Sequence, residues 1–193
     1  MFAEQITKEE LNRLPIAKFE GEIVVLNDPD DAERAAQELL KYSHLGFDTE
    51  TKPSFAKGQK NSVGLVQIAT EHKVFLFKIK RTGIPPSLRH VLSSASIIKI
   101  GVAIADDIKA LQRINFFIPN GFIELQRFSE RYNIHDNSLQ KLTAIVLGFK
   151  ISKKQQLSNW DSEKLTEAQK DYAATDAWTA LLIYKKLINS PFK

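Results

Sequence analysis

The chain has 193 residues, 43% of them hydrophobic, which is the size and apolar content of one domain around one core. Against 23 Asp plus Glu stand 27 Lys plus Arg, a net charge of +4 and a pI near 9.2 that mildly favours an anionic partner. The absence of cysteine excludes disulfides, thiolate metal sites and thiol nucleophiles, and fits a reducing compartment, so a cytoplasmic location is expected.

Residues 1–19 read as a polar lead-in that packs as a short helix, and residues 20–193 as a single domain, with no composition shift or repeat to divide them. The opening MFAEQITKEELNRLPIAKF has no apolar run fit for a signal peptide or membrane span, so no membrane partner is expected. The β-branched run Glu22 to Leu26 predicts a strand, and AERAAQELLKYS after Asn-Asp-Pro-Asp-Asp predicts a helix. His44 to Glu50, Val63 to Thr70 and Lys73 to Lys78 predict three successive strands, joined in part by a tight hairpin at Glu71-His72, hence an antiparallel meander. SLRHVLSS, the β-rich IIKIGV and ADDIKALQRI then alternate helix, strand and helix, which predicts a mixed α/β sheet. Helices are predicted over Leu125 to Tyr132, Ser138 to Leu147, and Thr166 to about Ile188, the last opened by the capping box Thr166/Gln169 and followed by Pro191.

Asp48 and Glu50 stand two apart on a predicted strand, so both carboxylates project from one face. Like charges held there repel unless a cation lies between them, although D-x-E alone also describes a strand end emerging into water. Asp107 falls near a helix start, where an acid complements the dipole, and Asp106 beside it competes for any ligand role. Tyr172 and Asp176 are one turn apart on the face of the last helix that carries Ala173, Ala180, Ile183 and Leu187. A carboxylate on that packing face needs a partner, either a salt bridge or a metal. Asp48, Glu50, Asp107 and Asp176 would form an oxygen-only ligand set suited to Mg²⁺ or Mn²⁺. Two such ions about 4 Å apart can activate water and stabilise the leaving oxygen of a phosphodiester. His44, His72, His90 and His135 show no metal-ligand spacing, and no phosphate loop or G-x-S-x-G nucleophile occurs. The lysine clusters at 57/60, 78/80, 150/153/154 and 185/186 read as ordinary solvated surface.

GFDTET, IIKIGVAIADDIKAL and QLSNWDSEKLTEAQKDYAATDAWTALLIYKKL resemble, in order and spacing, the three motifs of the DEDDy 3′-5′ exonuclease family. The resemblance is greatest to the Werner syndrome exonuclease domain and extends to ribonuclease D, over about Glu20 to Leu187. It implies a ribonuclease H-like fold, a mixed parallel/antiparallel sheet flanked by helices. It also implies metal ligands at Asp48, Glu50, Asp107 and Asp176, with Tyr172 orienting the attacking water. The implied activity is hydrolysis at the free 3′ end of DNA or RNA by two divalent metal ions. A single strand would enter a cleft lined by Lys153, Lys154, Asn159 and Trp160, the last equally suited to the core. The family's aromatic and proline run after the first motif is replaced here by Thr51-Lys52-Pro53-Ser54-Phe55, which leaves Phe55 as the candidate wedge for the terminal base. The alternatives are a catalytically weak nucleic-acid binding module that keeps the exonuclease fold, and an endonuclease or other metal phosphoesterase.

Overall fold

The computed structural model describes residues 2–53 and 62–191. Helix α1 (Lys8–Arg13) opens on a capping box between Thr7 and Glu10, and β1 (Glu22–Leu26) follows. Helix α2 (Pro29–Leu39) starts where the Asp28 carboxylate accepts from the backbone N–H groups of Asp30 and Asp31, and where Pro29 presets the first helical φ. Strands β2 (His44–Thr51), β3 (Val63–Ala69) and β4 (Lys73–Lys78) come next, then α3 (Ile79–Thr82), α4 (Pro86–Ser93), β5 (Ile98–Gly101) and α5 (Ala105–Ile114). The chain finishes with β6 (Phe122–Glu124), α6 (Leu125–Ser129), a 3₁₀ turn (Glu130–Tyr132), α7 (Leu139–Leu147) and α8 (Glu167–Ile188).

The strands form one sheet in the order β1-β4-β3-β2-β5-β6. Its centre is the expected antiparallel meander β2-β3-β4, while β1 joins β4, β5 joins β2 and β6 joins β5 in parallel. Alternation divides the central strands cleanly. Leu45, Phe47, Val66, Ile68, Phe75 and Phe77 pack under α2 and α4, whereas Leu65, Ala69, Val74 and Leu76 pack against the Ala173, Ala174 and Ala177 side of α8. Gly46 lies on the second face, where a Cβ would come 1.9 Å from the Ala177 carbonyl oxygen. Only a residue without a side chain lets the α8 backbone rest on β2, and this contact sets the height of α8 over the sheet.

Three differences from the sequence reading have physical causes. The helix expected over Leu125 to Tyr132 is α only to Ser129; it tightens into a 3₁₀ turn and stops at Asn133, which is left-handed at φ 59°. Strand β6, Phe-Ile-Glu, is too short to show alternation and exists because β5 supplies a parallel partner. Lys78, read as solvated surface, is not a surface residue, and neither is Lys99 within β5. Lys78 is buried with its Nζ donating to the carbonyls of Ser162 and Glu163, and Lys99 is buried with its Nζ donating to Ser94 O at 2.7 Å and Ile97 O at 2.6 Å. Among the described residues no helix is long and apolar enough to cross a membrane.

Candidate active site

Asp48 and Glu50 lie two and four residues beyond Gly46 on β2, so their side chains rise from the face that α8 covers. Asp176 precedes Ala177, the residue that sits on Gly46, so the same contact lowers its carboxylate onto the two strand acids. One carboxylate oxygen from each of Asp48, Glu50 and Asp176 lies within 4.8 Å of the others. Glu50 and Asp176 are buried and Asp48 is half-buried. Asp48 Oδ1 accepts from the Thr49 N–H at 2.9 Å, and Asp176 accepts from the Tyr172 hydroxyl while its Oδ1 is buried with no hydrogen-bond partner among the described residues.

Three acids so close and so dry cannot all ionise cheaply. Burial, then the neighbouring charges of Asp176 and Asp107, holds the Asp48 carboxyl well above the usual range. Burial, then the charges of Asp48, Asp176 and Asp107, push Glu50 up to about 10. Burial raises Asp176 to about 7, against the opposing pull of the Tyr172 hydrogen bond and the Lys153 charge. Among the described residues none of the three takes part in a salt bridge. The Tyr172 hydroxyl is itself driven up by burial and by Asp176, so it is neutral at any physiological pH.

Asp107 stands outside the tight group of three. It is the third residue of α5, and its Oδ1 accepts from Thr49 Oγ1 at 2.7 Å, which fixes it beside β2. Asp106 instead is exposed and pairs with Lys109 at 3.2 Å, so the two adjacent acids separate by direction. The loop that presents Asp107 is held by Glu124, whose carboxylate accepts from the N–H groups of Ala103 and Ile104 at 2.9 Å each. Ala103 is left-handed at φ 58°, a conformation costly for a residue with a Cβ and maintained here by those two bonds.

The acids open into a cavity of about 390 Å³ lined also by Tyr172, Ser138, Gln140, Ser152, Lys153 and Gln156. Of the expected substrate contacts, Lys153 is in this wall. Lys154 lines an adjoining cleft of about 970 Å³ that shares Tyr172 and Ser152 with it. Asn159 lines neither; its backbone carbonyl accepts from Gln169 Nε2 at 3.4 Å, which ties the preceding loop to the start of α8. Of the two readings left open for Trp160, lining or core, it takes the core: it is fully buried, with its ring 5.9 Å from that of Tyr172, so no face is free to stack on a base and it backs the tyrosine. Phe55 lies outside the described residues. Sequence reasoning missed Glu124, Gln126, Asn137, Gln140 and Gln156, which no local pattern distinguishes from ordinary polar surface. Only Ser138 carried a signal, as the N-cap of α7, and that signal spoke of a helix start.

The architecture is that of the ribonuclease H-like exonuclease domains. The solved Trypanosoma brucei RNase D complex with RNA U12 superimposes with a TM-score of 0.78 at 21% identity, over 89% of this chain and 64% of that one, a likeness of fold. The Aedes aegypti Nibbler EXO domain gives a TM-score of 0.73 at 26% identity, over 95% and 90%. In sequence, the mouse bifunctional 3′-5′ exonuclease/ATP-dependent helicase WRN is 35% identical over 188 residues, which is 92% of this chain and 13% of that protein. Residues 23–190 match the 3′-5′ exonuclease family model, and the chain belongs to that family.

Proposed function

We propose that this domain is an active, metal-dependent 3′-5′ exonuclease of the tyrosine-bearing DEDDy type, acting on DNA or RNA with a free 3′ end. The observation that carries it is the cluster of Asp48, Glu50 and Asp176, three close carboxylates none of which forms a salt bridge among the described residues. The donor set fits hard divalent cations, Mg²⁺ or Mn²⁺: all oxygen, compact, and open to a cavity. Asp48, Glu50 and Asp176 would hold one ion, and Asp107, felt electrostatically by Asp48 from the far side, would share a second with it. Such a pair, when bound, activates a water and stabilises the leaving 3′ oxygen of an in-line displacement.

The chain's own groups do the remaining work. Tyr172, held by Asp176 and backed by Trp160, presents a neutral hydroxyl that orients the attacking water as a hydrogen-bond partner and does not act as a base. Lys153, on the cavity wall, offers positive charge to the strand's phosphates. The polar wall of Ser138, Gln140, Ser152 and Gln156 offers hydrogen bonds to sugar and phosphate with no base-specific pattern. The RNA seen with the trypanosome neighbour supports including RNA among the substrates.

The test is a time course with purified protein, Mg²⁺ or Mn²⁺, and 5′-labelled single-stranded and recessed DNA and RNA. A ladder of products shortened from the 3′ end, lost with EDTA, is expected. Cleavage of circular single strands would assign an endonuclease instead, and nucleic-acid binding with no metal-dependent product would leave only a binding module.

A further inference from the structure

Gln67 sits in the middle of β3, fully buried, and neither its side-chain Nε2 nor its Oε1 has a hydrogen-bond partner among the described residues. Its position is specific: in the antiparallel register it is directly opposite Asp48, so both side chains project from the same face, the one that α8 covers. Along β3 it is flanked on that face by Leu65 and Ala69, and across the other strand it faces Leu76, all three apolar and buried. An amide enclosed in this way forfeits its hydrogen bonds to water and recovers none, which a core of purely structural purpose avoids by using an apolar residue of similar size. Asp48, by contrast, is a carboxylate with acceptor capacity beyond the one bond it takes from the Thr49 N–H.

We propose that Gln67 is a positioning residue for the metal centre: its amide N–H group engages the Asp48 carboxylate from behind when a divalent cation draws the acids together, fixing which oxygen faces the ion. Carboxylate ligands are in general oriented by hydrogen bonds from such a supporting shell, and their loss weakens metal binding by about 10- to 100-fold. The inference rests on the metal reading given above, but it makes a separate claim. If the amide is in waiting, replacing it with an apolar side chain of similar length leaves the metal-free protein as stable as before or more so, and harms only the loaded state.

The experiment compares wild type with Gln67→Met and Gln67→Leu. It measures melting temperature in EDTA by calorimetry and Mn²⁺ affinity by isothermal titration without nucleic acid. The expected result is an unchanged or raised metal-free melting temperature together with a Kd for Mn²⁺ weaker by about tenfold or more. An unchanged Kd in both variants, beside clear binding by wild type, overturns the proposal whichever way the melting temperature moves, and leaves the metal reading intact. Failure of the wild type itself to bind Mn²⁺ removes the metal reading and this inference with it.

Discussion

Lys99 on β5 and Asp176 on α8 are both almost wholly inside the protein, and their surroundings differ in one respect. The Lys99 ammonium has two backbone carbonyls within 2.7 Å and lies 4.9 Å over the Phe122 ring. Its burial still lowers its pKa to about 8, but two of its three donors are used. Lys78 is treated in the same way by Ser162 and Glu163. Asp176 has one hydroxyl, one oxygen with no partner, and two more carboxylates against it. The fold thus settles buried charge where the charge is structural, pinning a strand to a loop, and leaves it unsettled at the acids proposed to hold a cation. Ordinary side-chain chemistry was available for both, so the difference is informative about function.

That contrast can be broken most directly at the acids. Asp48→Asn and Asp176→Asn should each lower kcat by on the order of 1,000-fold, about 4 kcal/mol of barrier, while raising the metal-free melting temperature because like charges are removed. Retained turnover in gel-based assays, or a lower melting temperature in EDTA, would place these residues with the structural charges. Tyr172→Phe is expected to slow kcat by about 10- to 100-fold, with Mn²⁺ affinity unchanged in calorimetry. An equal fall in metal affinity would show that the hydroxyl holds Asp176 and not the water. Lys99→Met tests the other half. It strands the Ser94 and Ile97 carbonyls and should cost about 2 kcal/mol in denaturant unfolding, with turnover per folded molecule unaltered.

The remaining test is a pH slope. In the metal-free protein Glu50 is raised from 4.5 to about 10 and Asp176 from 3.8 to about 7, so the folded state keeps protons that the unfolded chain releases. Stability from these groups is complete below about pH 4 and is lost as pH rises toward 7 and beyond. Lys99, lowered from 10.5 to about 8, acts oppositely, but only above pH 8. Between about pH 5 and about pH 7.5 the melting temperature in EDTA should therefore fall, and saturating Mg²⁺ should flatten the slope. A slope unaffected by Mg²⁺ would mean that the ion does not sit among these acids.

Much of this was legible in the chain. The three successive strand runs of β2, β3 and β4 with the tight turn at Glu71-His72, and the capping box of α8, set the meander and the last helix, because strand runs, turns and caps are local properties. The spacing Asp48-x-Glu50 gave a shared face, and Tyr172 to Asp176 gave one turn. Asp107 was read only through the motif, since an acid early in a helix has a sufficient local explanation; the Thr49 hydrogen bond and the outward turn of Asp106 are what separate the two. Trp160 was equally readable as lining or core because nothing local distinguishes a buried indole from an exposed one. Glu124 and Gln67 left no mark as members of the site. One acts through a loop 20 residues away, the other across a strand pair.

The sequence by itself therefore determined which residues share a strand face or a helix turn, because pleat and pitch fix those directions within a few residues. Only the tertiary structure decided that the two sets meet. Gly46 lets the Ala177 carbonyl approach the sheet, α8 settles onto β2, and acids 126 and 128 positions apart come within 4.8 Å. Close approach across so long a separation depends on packing and not on local propensity, and so do the burial and mutual repulsion that give these carboxylates their chemistry.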